Sequence, residues 1–197
     1  MSMNEKNKEI LNSKRKELQV KLAVSDFYAN YMKDWLHLYR SWVQLPIHLQ
    51  LVYLGIVEQE YKEPLIQVIN NEGIISSQVA IDFIWKDFEK DVLKILELSF
   101  PSKNLLSYVP SLKSIGNYYI EPSNILKYFE DKELTHISVY LLYTRYAPVI
   151  RLPLHEFILN YGIFKVDDYY DDILVFPADY SWLLFCSSDD EWSFGFK

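Results

Sequence analysis

The chain has 197 residues, half of them hydrophobic and 16% aromatic, with a formal net charge of −7 and a single cysteine, Cys186. That apolar content is enough to offset the entropy of ordering, which excludes a disordered chain, and a lone cysteine excludes an internal disulfide scaffold. The charged start, Met1 to Glu9, lacks the apolar stretch of a signal peptide, and the richest apolar window, Leu49 to Val57, falls far short of the roughly twenty residues that cross a bilayer. The sequence therefore predicts a cytoplasmic protein with no membrane span.

Lys6 to Leu22 reads as a helix with a narrow apolar stripe at Leu11, Leu18 and Leu22. A second helix is expected from an N-cap at Ser25 or Asp26 to about Gln44, with Trp35 and Trp42 on its apolar stripe. Pro46 suits the first turn of a third helix running to Tyr61, although Leu45, Ile47, Leu49, Leu51 and Tyr53 alternate as a strand would; helix is preferred. Pro64 opens a short helix ending near Asn71. Another is expected from Ser76 or Ser77 to Phe100, where Pro101 stops it.

Residues 101–117 read as irregular and mark the best internal boundary. Pro122 to about Asp131 reads as a short helix, and His136 to Tyr143 as a buried strand that pairs with Pro148 to Leu152. Pro153 to Asn160 reads as a short helix closed by Gly162. Ile173 to Phe176, Ser181 to Ser187 and Glu191 to Phe196 complete the set as three strands. The middle one is apolar on both faces and should be central, whereas the last buries Trp192, Phe194 and Phe196 on one face and should lie nearer an edge. The fold class is α+β: a helical N-terminal two-thirds packed on a mainly antiparallel C-terminal sheet, in one domain, 1–197, divisible into a helical part, 1–100, and a mixed part, 118–197.

Charge is distributed unevenly. Met1 to Leu22 carries six Lys or Arg against three Glu, whereas Ile150 to Lys197 carries three basic residues against nine acidic ones, a net −6. The acidic end repels phosphate backbones and attracts basic surfaces, and the basic start interleaves its cations with Glu and lacks stacking aromatics. Nucleic acid is therefore not the expected partner.

Motifs that carry chemistry are scarce. His155-Glu156 lacks the second histidine that a zinc-protease helix needs, since position 159 is Leu159, and His37, His48 and His136 have no ligand at metal spacing. Ser181, Ser187 and Ser188 lack the flanking glycines of a nucleophile elbow, and Cys186 shares a packed face with Trp182 and Leu184. The run Asp167, Asp168, Asp171 and Asp172 has paired carboxylates at a spacing that suits Mg²⁺ or Ca²⁺, the basis of an alternative reading as a metal-dependent hydrolase. It lacks the oxygen pattern and central glycine of a calcium loop, so a solvated or protein-binding loop is preferred. No catalytic residue, metal or cofactor is predicted. Trp182 and Trp192 flank the acidic turn Asp189-Asp190-Glu191, where any exposed edge would anchor a partner.

Leu154-His155-Glu156-Phe157-Ile158, followed by Ile173-Leu174-Val175-Phe176-Pro177, Asp179-Tyr180-Ser181-Trp182 and a final hairpin ending in aromatic-Gly-aromatic, resembles small bacterial immunity proteins of the polymorphic-toxin type over about the last 45 residues. The resemblance implies a non-enzymatic protein that binds and blocks a cognate toxin, often through an acidic surface. Independently, the net −6 segment and the lack of catalytic motifs point to a protein-binding module that steers a basic partner. Its expected contact residues are Asp167, Asp168, Asp171, Asp172, Asp189, Asp190, Glu191 and Trp192. An adaptor or phage-encoded interaction protein is a further alternative.

Overall fold

The computed structural model describes residues 3–32, 40–42, 44–47, 49–53, 61–71, 79–81, 88–104, 107–144, 149–165 and 171–197. Its first element, α1 (Met3–Phe27), runs without a break through Ser25 and Asp26 into a π-helical segment, Tyr28–Met32, so the expected N-cap there does not form. The reason is local: Val24 and Phe27 continue one apolar face, and Val24 is buried. From Glu5 to Gln19 this helix is exposed on every side, and Leu11, Leu18 and Leu22 of the expected stripe are all exposed.

The strands are β1 (Leu49–Tyr53), β2 (Val79–Ile81), β3 (Lys113–Asn117), β4 (Ser138–Tyr143), β5 (Val149–Pro153), β6 (Ile173–Pro177), β7 (Trp182–Cys186) and β8 (Glu191–Phe196). They join in one eight-stranded sheet, ordered β2-β1-β5-β4-β6-β7-β8-β3. Every pairing is antiparallel except β1 with β2. The helices are α2 (Lys62–Asn71), α3 (Phe88–Ser99), α4 (Pro122–Glu130), α5 (Leu154–Leu159) and the single turn α6 (Tyr161–Phe164). A helix-rich N-terminal part and a C-terminal antiparallel sheet thus make an α+β fold.

Several expectations are corrected. Residues 49–53 form a strand, because Leu49 and Val52 are needed on the flank of β5, where Gln50 faces Arg151. Val79–Ile81 is a strand paired with β1, and the helix expected from Ser76 begins at Phe88. Residues 113–117, read as irregular, form β3, which covers the outer side of β8 and makes β8 the penultimate strand. Gly162 lies inside α6 and does not close α5. Among the other expected core tryptophans, Trp42 is buried, and Trp35 and Trp85 fall outside the described residues, as do His37 and His48.

Period-two alternation places the core on both faces of the sheet. On one face Leu141, Val175, Leu184, Trp192 and Phe194 pack against Phe129, Phe157, Tyr161 and Phe164 from α4, α5 and α6. On the other, Leu142, Leu174, Phe176, Leu183 and Phe185 pack against Val92 and Leu96 of α3. This two-sided burial is why β6 and β7 are apolar throughout, every residue of each being buried. At Gly195 of β8 a Cβ would lie 2.9 Å from Leu112 Cδ2, so a side chain there requires the end of Leu112 to move aside.

Candidate functional site

The strand order brings Asp171, Asp172, Asp189, Asp190 and Glu191 to one end of the sheet, where β6 begins and the β7–β8 turn lies. That turn is held from several directions. Within it, the Asp190 amide donates to the Ser187 carbonyl (2.9 Å) and the Ser187 amide to the Glu191 carbonyl (3.0 Å). From the β3 side, the Tyr118 amide donates to the Asp190 carbonyl (3.0 Å) and Asn117 Nδ2 to the Asp189 carbonyl (3.2 Å). From the β6 side, Asp172 Oδ1 accepts the Ser188 amide at 2.8 Å. Asp190 takes a left-handed φ of +66°, a conformation that Asp tolerates better than most residues.

Asp190 points inward. Lys165 Nζ lies 2.8 Å from its Oδ1 and 2.9 Å from its Oδ2, and the Tyr161 hydroxyl donates to Oδ1 at 3.2 Å. The two side chains of this ion pair are only 15% and 16% exposed, so its charges are neutralised inside the protein. Asp190 is therefore a structural member of the turn and not a free contact for a partner. Trp192 is corrected in the same sense: it is fully buried, stacked on Tyr118 (5.1 Å, 19°) and Phe157 (5.7 Å, 20°), with Tyr161 edge-on (5.0 Å, 78°). It has no edge to offer. Burial pushes the Tyr161 phenol well above its ordinary range, with Cys186 and Asp190 adding to the shift.

Asp171 is also buried, 3% exposed, and its Oδ1 accepts from Thr144 Oγ1 at 2.7 Å. Asp172 is half-buried and engaged with Ser188, whereas Asp189 and Glu191 are exposed, Glu191 in reach of Ser114 Oγ at 3.4 Å. Asp167 and Asp168 lie outside the described residues. Of the eight expected contact residues the structure thus turns Asp171, Asp190 and Trp192 inward and leaves Asp189 and Glu191 outward. Cys186 is buried beside this end, and its thiol is pushed up by burial first and then by the charges of Asp172 and Asp190. A thiol held protonated is a poor nucleophile. Among the described residues no group of three His, Cys, Asp or Glu is placed to hold a metal ion.

At the opposite end, the C-terminus of α4, the connection 131–137 and α5 enclose an open depression of about 460 Å³. Leu126 and Leu159 give it apolar wall, Thr135, His136 and His155 line it, and Glu130 and Glu133 bring carboxylates to it. The His155 amide and Nδ1 both meet the Thr135 carbonyl, at 2.9 and 3.1 Å, while Nε2 lies 3.3 Å from Glu156 Oε1. The His136 ring stands 5.5 Å from that of His155, edge-on. Sequence reasoning found in His155-Glu156 only an incomplete zinc-protease pair and missed both this grouping and the internal partners Lys165 and Tyr161. The available signal for Lys165 was its place as the only cation between Arg151 and Lys197.

No family model, no curated protein and no solved structure matches this chain. Among the described residues no helix is long and apolar enough to cross a membrane.

Proposed function

We propose that this chain is a non-enzymatic protein-binding module of the immunity or antitoxin kind, which meets a basic partner, such as a toxin domain, through the acidic end of its sheet. The observation that carries the reading is the alternation within the β7–β8 turn. Asp190 and Trp192 fix it from within, and Asp189 and Glu191 stand in solvent on the scaffold so fixed. Carboxylates displayed on a rigid turn lose little freedom on binding, and their charge raises the rate of encounter with a basic surface. The engagement of Asp171 with Thr144 and of Asp172 with Ser188 counts against the hydrolase alternative, since carboxylates already bonded within the fold are not poised to ligate Mg²⁺.

The test is kinetic. With a partner identified by co-purification, the double substitution Asp189→Asn, Glu191→Gln should slow association by about tenfold at low salt and flatten its salt dependence, leaving dissociation nearly unchanged. An association rate indifferent to both salt and these substitutions, or an acidic partner, would overturn the electrostatic reading.

A further inference from the structure

Two surfaces of this chain stand in solvent, and their chemistries match. The first belongs to α1. Its residues 5–19 form a stretch about 22 Å long that is exposed throughout, and Leu11, Leu18 and Leu22 are each more than half exposed. At about 100° per residue these leucines share one stripe, with Lys8, Lys14 and Arg15 within about 60° of its centre and Glu5, Glu9 and Glu17 about 120° or more away. Helices in proteins draw most of their stability from packing an amphipathic face, so a leucine stripe flanked by cations and left in water points to a partner outside the chain.

The second is the corner that follows β3. Tyr119 is 57% exposed and Ile120 77%. Asn117 fixes them, its Oδ1 accepting the Tyr119 and Ile120 amides at 3.1 and 3.3 Å while its Nδ2 donates to the Asp189 carbonyl. One side chain thus locks the apolar corner to the acidic turn. Asp189 and Glu191 are exposed beside it, Glu191 facing Asn117 in the β3–β8 register, and the exposed Glu121 follows Ile120. Tyr119 is braced from behind: its ring lies 6.2 Å from that of Tyr161, and its hydroxyl lies 3.4 Å from where a Cβ on Gly162 would stand. Lys165, with its Nζ 5.6 Å from the centre of the Tyr119 ring, is paired with Asp190, so the corner presents apolar surface rimmed by negative charge.

We infer that α1 of one copy docks on this corner of a second copy, its leucine stripe on Tyr119 and Ile120 and its flanking cations on Glu121, Asp189 and Glu191. Exchange in both directions closes a two-fold dimer. The apolar contact makes the centre of the interface and the ion pairs its rim. A second copy is the partner because both halves of the contact, complementary in charge, are carried by this one chain, whereas an anionic bilayer answers the basic stripe alone. Such self-association goes beyond the proposed function and bears on it, since α1 then competes with a basic partner for the acidic turn.

The full chain is followed by analytical ultracentrifugation at low and high salt. Reversible self-association in the micromolar range is expected, weakened about tenfold or more between about 0.05 and 0.5 M NaCl. Lys14→Glu with Arg15→Glu, and separately Asp189→Lys with Glu191→Lys, should each weaken it by a similar factor. Mixing the two variants should restore it, because each then offers the charge that the other lacks. Ile120→Asp should weaken it with no such rescue. In an equal mixture of isotopically light and heavy chains, a carbodiimide cross-link from Lys14 to Asp189 or Glu191 should join light to heavy. A monomer at every salt and concentration, association unmoved by the charge reversals, links confined within single chains, or a monomer captured by phosphatidylserine vesicles would each overturn the inference. A monomer whose foreign partner still binds through Asp189 and Glu191 would overturn it and sustain the proposed function, and rescued self-association that no basic partner displaces would do the reverse.

Discussion

Replacing Lys165 by Met is the sharpest test of how the acidic turn is built. Met keeps the stem and deletes the ammonium, leaving Asp190 with the Tyr161 hydroxyl alone in a site where its side chain is 16% exposed. At 2.8 Å the gross attraction is about 6 kcal/mol for an effective dielectric constant of about 20, and the desolvation of both ions offsets much of it. Breaking a fully buried pair costs about 3 to 5 kcal/mol; with some solvent contact remaining, about 2 to 4 kcal/mol is expected for Lys165→Met. In urea, with a slope of about 2 to 3 kcal/mol per molar for a chain of this size, the midpoint should fall by roughly 1 to 1.5 M. Asp190→Asn should fall less, since an amide still accepts from Tyr161, and the double variant should sit above the sum of the two by about 1 to 3 kcal/mol. A Lys165→Met midpoint equal to that of the parent would refute the reasoning: the pair would then behave as a surface ion pair, and the turn would not be fixed from within.

Trp182→Ala, which empties a side chain 1% exposed between β6 and β8, should cost about 3 to 5 kcal/mol in the same urea assay, and an unchanged midpoint would mean that the site is not core. Asp189→Asn and Glu191→Gln should each stay within about 0.5 kcal/mol of the parent, since both side chains are exposed. Cys186 should resist a thiol reagent in the native protein and react fully in denaturant; rapid native labelling would contradict its burial. Stability should fall in alkali. Burial raises the Tyr143 and Tyr161 phenols above the ordinary value of 10.0, so the unfolded chain releases these protons first and the folded state loses about 1.4 kcal/mol per phenol per pH unit above about pH 10. Tyrosinate absorbance should show these two phenols titrating only as the protein unfolds, and their free titration near pH 10 in the folded state would refute the assignment.

The sequence disclosed those elements whose pattern is local. β6, β7 and the helix opening at Pro122 were legible because an apolar run of strand length, or a proline at the first helical turn, admits few readings. β1 was half legible: the alternation of Leu49, Leu51 and Tyr53 was visible, and only the distant partner β5 decides it against the helical reading that Pro46 invites. β3 was not legible. Its residues, Lys113-Ser114-Ile115-Gly116-Asn117, are mostly poor strand formers and become a strand because the outer side of β8 needs a partner. The same holds for the sites. The alternation of Trp192 with Phe194 already implied burial, whereas the depression joins Glu130, Thr135 and His155 from an α4 end, a connection and α5, and no spacing in the chain announces that meeting.

The position of β8 governs the order in which the protein takes shape. It lies between β7 and β3, so Ser114 of β3 waits for Ser193, and Gly116 for Trp192, across about three-quarters of a hundred residues. Until residues 191–196 leave the ribosome, β3 has no neighbour and the inner side of β7 is an open, wholly apolar edge, a surface prone to mispairing. Closing so long a loop is slow relative to the formation of α1 or α4, whose contacts are local. A nascent chain stalled short of Glu191 therefore has partners for β1, β2 and β4 to β7 but leaves β3 unplaced and β7 open, and synthesis of residues 191–196 becomes the step that completes the sheet.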